Sequence, residues 1–220
     1  MSQLSFKFPF KTTYYENDFY VSSNNFAAYQ LIESWPEWVD NNVNIFGTNG
    51  CGKTHLANIL KKKLNSILVT SKNFDEEVLL DLKNKDCLII DEYENDIEEK
   101  LLYSTLNFSK QFNKYIVINS LEPIKKNKIQ LKDLKSRFDS FLDVGIDLPT
   151  DDLIRVILVK SFSDKQINVN VKLLEYISNN IDRSYEKIFQ FIKNIDIESL
   201  TTGKSININL VKKVLKNNNE

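Results

Sequence analysis

The residues Gly47-Thr48-Asn49-Gly50-Cys51-Gly52-Lys53-Thr54 carry the spacing G-x-x-x-x-G-K-[ST]. In such a loop the glycines let backbone N–H groups converge on phosphate oxygens. The lysine then reaches the β- and γ-phosphates, and the threonine hydroxyl ligates magnesium. The chain has only 5 glycines, and Gly47, Gly50 and Gly52 are three of them, so their clustering asks for a backbone reason. A second constellation is Cys87-Leu88-Ile89-Ile90-Asp91-Glu92, an apolar run that delivers two acids at its carboxyl end. Beside a phosphate loop, Asp91 would hold magnesium and Glu92 would orient or deprotonate an attacking water. ATP or ADP with Mg²⁺ is therefore the expected cofactor.

Smaller signals surround these two. Asn119 ends the apolar run Tyr115-Ile116-Val117-Ile118, where a polar side chain can sit between the acids and position water, or simply favour a turn. Arg137 is one of only three arginines, with Arg155 and Arg183. At a subunit edge it could reach a neighbour's γ-phosphate; the plainer reading is a solvated surface cation. His55, the sole histidine, follows Thr54 and reads as a helix residue beside the phosphates rather than a base. Cys51, at the start of a helix, is expected to be somewhat acidic, which offers a redox-sensitive position.

These residues need elements to hold them. Phe26, Ala27, Tyr29, Leu31 and Ile32 give helical spacing over residues 24–35. Strands are expected at 43–46, 67–70, 87–90, 115–119 and 141–148, with helices at 53–64, 74–82 and 97–112. Such alternation predicts an α/β fold with a central parallel sheet flanked by helices. From Asp151 onward only helical periodicity is found, over 153–162, 171–180, 185–195 and 210–215. Thr150-Asp151-Asp152 forms a candidate N-cap cluster there. The expected organisation is an N-terminal arm over 1–20, an α/β core over 21–149 and a small all-helical lid over 150–220.

The bulk numbers exclude more than they assert. The net charge of −1 gives no global electrostatic reason to expect nucleic-acid or membrane binding. No apolar run approaches the roughly 20 residues a bilayer requires. The first ten residues lack the charged and small-residue features of a signal peptide. Two cysteines make neither a disulfide framework nor a zinc site, so a reduced, cytoplasmic protein is expected.

Taken together, these motifs resemble the AAA+ ATPases, most closely the DnaA group and, within it, the Hda family of DnaA-related regulatory inactivators. The segment Val21-Ser22-Ser23-Asn24-Asn25-Phe26-Ala27-Ala28 is similar to the one that borders the adenine in this group. It thereby adds Val21 and Asn25 to the nucleotide-binding residues. Leu134-Lys135-Ser136-Arg137-Phe138 looks like the group's box VII, whose arginine is the finger. Gln3-Leu4-Ser5-Phe6-Lys7-Phe8 is similar to a peptide that docks on the DNA polymerase III sliding clamp. There Leu4, Phe6 and Phe8 would be apolar anchors and Gln3 a hydrogen-bonding end. The resemblance also implies a chain that stops after the lid, with no helix-turn-helix domain to read DNA sequence.

The chain departs from the group where the lid commonly carries an arginine: Glu186 stands there, with Lys187 and Arg183 nearby. The water-positioning residue is Asn119 or Ser120, depending on register. The leading expectation is a regulator that, with the clamp, promotes hydrolysis of DnaA-bound ATP through Arg137. The complete acid pair would support weak ATP hydrolysis of its own, and self-assembly is compatible with such a domain. Two other classes share the phosphate loop. One is a DnaA-like initiator or helicase loader acting on DNA; the other is a small-molecule kinase, against which the scarcity of arginine argues.

Overall fold

The computed structural model describes residues 18–203 and 205–219. They fall into two compact units, divided between Asp147 and Leu148. The residues expected to anchor the arm, Gln3, Leu4, Phe6 and Phe8, lie outside the described residues, as does most of the arm itself.

In the first unit strands and helices alternate. They run α1 (Phe26–Glu33), β1 (Asn42–Gly47), α2 (Lys53–Lys63), β2 (Ser66–Thr70), α3 (Glu76–Leu82) and β3 (Cys87–Tyr93). Then follow α4 (Glu99–Gln111), β4 (Tyr115–Ser120), α5 (Lys132–Asp139) and β5 (Leu142–Ile146). Among the described residues the five strands form one parallel sheet in the order β2-β3-β4-β1-β5. Cys87, Leu88, Ile89 and Ile90 are all fully buried, as a strand covered on both faces must be. Phe138, Leu134, Leu102 and Ile118 belong to one continuous core on this sheet.

The element limits have local causes. Helix α1 is shorter than its apolar spacing predicts because the asparagines before it hold backbone outside the helix. Asn25 accepts from Ser22 N at 2.9 Å and donates to Tyr20 O at 2.9 Å. Asn24 donates to Asp147 O at 3.1 Å, while Asp147 N returns a bond to Asn24 O. Helix α3 starts at Glu76 because Asp75 accepts from Glu77 N and Val78 N as its N-cap. Strand β3 runs three residues past Ile90, through both acids to Tyr93. Helix α5 was not expected as an element: it is short and polar, with only Leu134 and Phe138 buried, four residues apart.

Asn44, fully buried in β1, staples the sheet near its carboxyl end. Its amide donates to Ile118 O and Ser120 Oγ, and its carbonyl accepts from Ile124 N. All of its bonds are made inside the protein, as burial requires.

The second unit contains α6 (Asp151–Asp164), α7 (Val171–Asn180), α8 (Tyr185–Thr202) and α9 (Ile208–Asn219). Thr150, Asn170 and Ser184 cap the first three, accepting from Leu153 N, Leu173 N and Lys187 N. Ile154, Leu158, Ile177, Phe191, Ile195 and Val211 belong to its own core. Among the described residues no helix is long and apolar enough to cross a membrane.

Candidate functional site

The phosphate-loop residues turn from the end of β1 into α2. Gly50 and Gly52 take φ of +81° and +105°, conformations that a side chain resists. A methyl group on Gly52 would also lie 2.8 Å from the Phe19 ring. Lys53 folds back over the loop, its Nζ donating to Gly47 O at 2.6 Å and Thr48 O at 3.1 Å. Its ammonium therefore stands within the curve of the loop rather than out on the surface of α2. Thr54, half-buried, occupies the next position of that first turn.

Strand β3 delivers its acids through an irregularity. Ile90 pairs with Ile118, but Tyr93 pairs with Ser120, so Asp91 and Glu92 together face the single residue Asn119. This is a β-bulge. Asp91 is turned into the protein at 5% exposure, while Glu92 is exposed and adopts φ of +54°. For a residue with a Cβ that conformation costs about 1–2 kcal/mol. Ser71 Oγ bonds the Glu92 carbonyl at 2.8 Å and helps to hold it.

The bulge places Asn119, and not Ser120, against Asp91. Asn119 Nδ2 donates to Asp91 Oδ1 at 2.9 Å and lies 3.1 Å from Lys53 O. Ser120 instead bonds Glu122 O and Asn44. Asn119 of β4 thus joins the Asp91 side chain of β3 to the main chain of Lys53 at the start of α2. The Oδ1 of Asn119 is buried without a partner, an arrangement that typically costs about 1–3 kcal/mol.

These features fit a magnesium nucleotide. The loop offers backbone turned by two positive-φ glycines, and Lys53 supplies a cation for phosphate oxygens. Thr54 and Asp91 supply one hydroxyl and one carboxylate, suited to a Mg²⁺ that takes its other oxygens from phosphate and water. Asn119 contributes an acceptor with no partner among the described residues.

Around the loop, Phe19 stacks on Tyr29 with centroids 5.8 Å apart and meets His55 edge-on at 5.4 Å. Phe19 was not anticipated; its only sequence signal was an aromatic residue shortly before Val21. Asn25 spends its side chain on the backbone of Tyr20 and Ser22, which sets the path of the segment holding Phe19 and Val21. Cys51 corrects an expectation. Burial pushes its thiol up from the ordinary value, although the Lys53 charge opposes the shift. It is not an acidic cysteine.

Among the described residues Arg137 bonds none of these groups. It lies half-buried on α5, and its Nη2 donates to Asn107 Oδ1 on α4 at 2.8 Å. In the helical unit, Arg183 pairs with Asp151 at 3.0 Å, Lys187 donates to Asn218 O, and Glu186 is exposed in the first turn of α8.

Known proteins resemble this chain in both sequence and fold. A family model described as RNA helicase matches residues 43–142. The chromosomal replication initiator protein DnaA of Buchnera aphidicola subsp. Baizongia pistaciae is 30% identical over 196 residues, covering 78% of this chain and 42% of that protein. DnaA of Buchnera aphidicola subsp. Cinara cedri is 28% identical over 229 residues, covering 92% and 52%. The chain spans about half the length of the curated relatives it matches. Domain III of the Thermotoga maritima replication initiation protein DnaA superposes with a TM-score of 0.75 at 22% identity, covering 96% of this chain and 98% of that one. AMPPCP-bound DnaA from Aquifex aeolicus gives 0.66 at 20% identity, covering 84% and 65%. The fold is that of an AAA+ domain, and the chain is related to the DnaA group of AAA+ ATPases.

Proposed function

We propose that this chain is a cytoplasmic, nucleotide-binding regulator of replication initiation of the Hda kind. It binds ATP or ADP with Mg²⁺ at the Lys53–Asp91–Asn119 site, docks on the sliding clamp, and promotes hydrolysis of ATP held by DnaA. The observation that carries this reading is the distribution of phosphate chemistry. Asn119 bonds both the Asp91 carboxylate and the main-chain carbonyl of Lys53 in the phosphate loop, whereas among the described residues Arg137 bonds Asn107 on another helix and none of these three. A cation placed away from its own nucleotide site is available to a partner's. There the guanidinium would stabilise charge developing on the γ-phosphate, an effect worth about 10³–10⁵ in rate in other NTPases.

The clamp contact is assigned to Gln3, Leu4, Phe6 and Phe8 on sequence alone. In this reading residues 21–149 bind nucleotide and residues 150–220 serve as a lid. Glu186 stands where the family's lid arginine would be, so nucleotide sensing there falls to Lys187 or Arg183, or is lost.

The test is stimulation of DnaA ATP hydrolysis on clamp-loaded DNA. Arg137→Ala should abolish it while leaving nucleotide affinity intact. Removal of residues 1–8 should abolish capture on immobilised clamp. Full stimulation by Arg137→Ala would overturn the mechanism.

A second reading is favoured by the relatives themselves, which are initiators, one of them solved with single-stranded DNA. In that reading the chain acts on DNA directly and Arg137 serves a neighbour in a self-assembled filament. Submicromolar, salt-dependent affinity for single-stranded DNA would favour it.

A further inference from the structure

Helices α4 and α5 are joined at two places. At one end the Glu99 carboxylate accepts from Gln130 N at 3.0 Å and Leu131 N at 2.7 Å, holding the chain that enters α5. Two turns further along α4, Asn107 Oδ1 accepts from Arg137 Nη2 at 2.8 Å. Leu134 between these ties and Phe138 just past the second are buried, so the backbone of α5 is already fixed by packing. What packing does not fix is the long Arg137 side chain, which carries large rotamer freedom. The Asn107 bond is the contact that orients its guanidinium.

The type of that partner matters. Among the described residues the Arg137 guanidinium bonds a neutral amide and no carboxylate. A neutral acceptor orients the group yet leaves its full positive charge for an anion. A carboxylate would pair with it in fork geometry and compete with a phosphate for the same donors.

We infer that Asn107 is the positioning residue for Arg137, and that its neutrality keeps the guanidinium free to engage the γ-phosphate of ATP on a neighbouring AAA+ domain. The inference rests on the proposed action of Arg137 on a partner's nucleotide. Pre-organisation of a transition-state donor raises the maximal rate rather than the affinity of the two proteins.

The full chain is assayed with DnaA·ATP on clamp-loaded DNA, over a range of ionic strength, each variant relative to wild type at the same salt. Asn107→Ala should lower the maximal rate about tenfold, the scale of one charge-assisted hydrogen bond, with half-saturation unchanged. Asn107→Asp is isosteric and keeps the fold, as nucleotide affinity and thermal midpoint will verify. It should lose more than Asn107→Ala at low salt and recover toward it as salt screens the new ion pair. A merely structural role would give equal losses at every ionic strength, and that result would overturn the inference. So would wild-type activity in both variants while Arg137→Ala is inactive, an outcome that leaves the proposed function standing. Wild-type activity of Arg137→Ala would remove both.

Discussion

Asn119 and Asp91 lie on adjacent parallel strands, and the Nδ2 of Asn119 donates to Asp91 Oδ1 at 2.9 Å. Both are nearly or wholly buried, at 0% and 5% exposure. The bond leaves Asp91 with an oxygen for a cation and Asn119 with an unpaired buried acceptor. The same Asn119 amide also reaches the main-chain carbonyl of Lys53, which ties the pair to the phosphate loop. This pairing gathers polar groups of β3 and β4 at the carboxyl edge of the sheet.

Asn119→Asp would put two carboxylates where an amide and a carboxylate now bond. One of them must then stay protonated, so its folded pKa rises above the unfolded value near 4. A raised folded pKa gives stability that is present below the unfolded pKa and lost as pH rises. The variant should be less stable than the wild type at pH 7, on the order of 3 kcal/mol. The deficit should shrink toward pH 4. Urea melts at several pH values measure it, and a pH-independent deficit would contradict the account.

Lys53→Ala removes a side-chain cation bonded into the loop. Affinity for MgADP should fall about ten- to a hundredfold, the worth of charge-assisted hydrogen bonds to phosphate. Calorimetric titration checks this, together with loss of the thermal stabilisation that bound nucleotide confers. Undiminished binding would mean that the loop does not hold phosphate.

Gly52→Ala meets two obstacles, a φ of +105° and the Phe19 ring 2.8 Å away. A destabilisation of about 1–3 kcal/mol is expected from the backbone alone. Adding Phe19→Ala should relieve the steric part and leave the backbone part. The two changes should therefore be non-additive in thermal melts. Strict additivity would show that the ring does not constrain the loop.

The two thiols should be unreactive at neutral pH. Burial pushes Cys51 and Cys87 up from the ordinary value of 9.0, Cys87 far up. Iodoacetamide should label them slowly until the chain unfolds. By linkage, a raised folded pKa means stability is intact below pH 9 and declines above it, as only the unfolded thiols ionise. Cys87→Ala should flatten that decline, and rapid labelling of native protein would refute the burial argument.

The phosphate loop and its flanking strand and helix were legible because their signals are contiguous: glycines at fixed spacing, an apolar run before, helical periodicity after. The acids of β3 were legible as residues but not as geometry, since the bulge and the φ of Glu92 leave no mark on composition. Asn119 and Ser120 could not be separated for the same reason, because a bulge moves the register of everything beyond it. Helix α5 is hard to read from sequence because its eight residues bury only two apolar side chains, Leu134 and Phe138, too short a pattern to mark a helix. Asn107 had no signal at all. It reads as one more polar residue on an amphipathic helix, and its partner is 30 residues away.

The sequence by itself determined the chemistry available: a lysine and a hydroxyl in a glycine-rich loop, an acidic pair after an apolar run, and only three arginines. It also determined the alternation that makes a parallel sheet. The tertiary structure alone decided which of these groups meet. The order β2-β3-β4-β1-β5 inserts β4 between the strand of the phosphate loop and the strand of the acids. Asn119 therefore comes within reach of both Asp91 and α2. Strand order arises from how helices cover the two faces of the sheet, a property of the whole packed unit. Short-range spacing, which is all that a loop motif records, does not contain it.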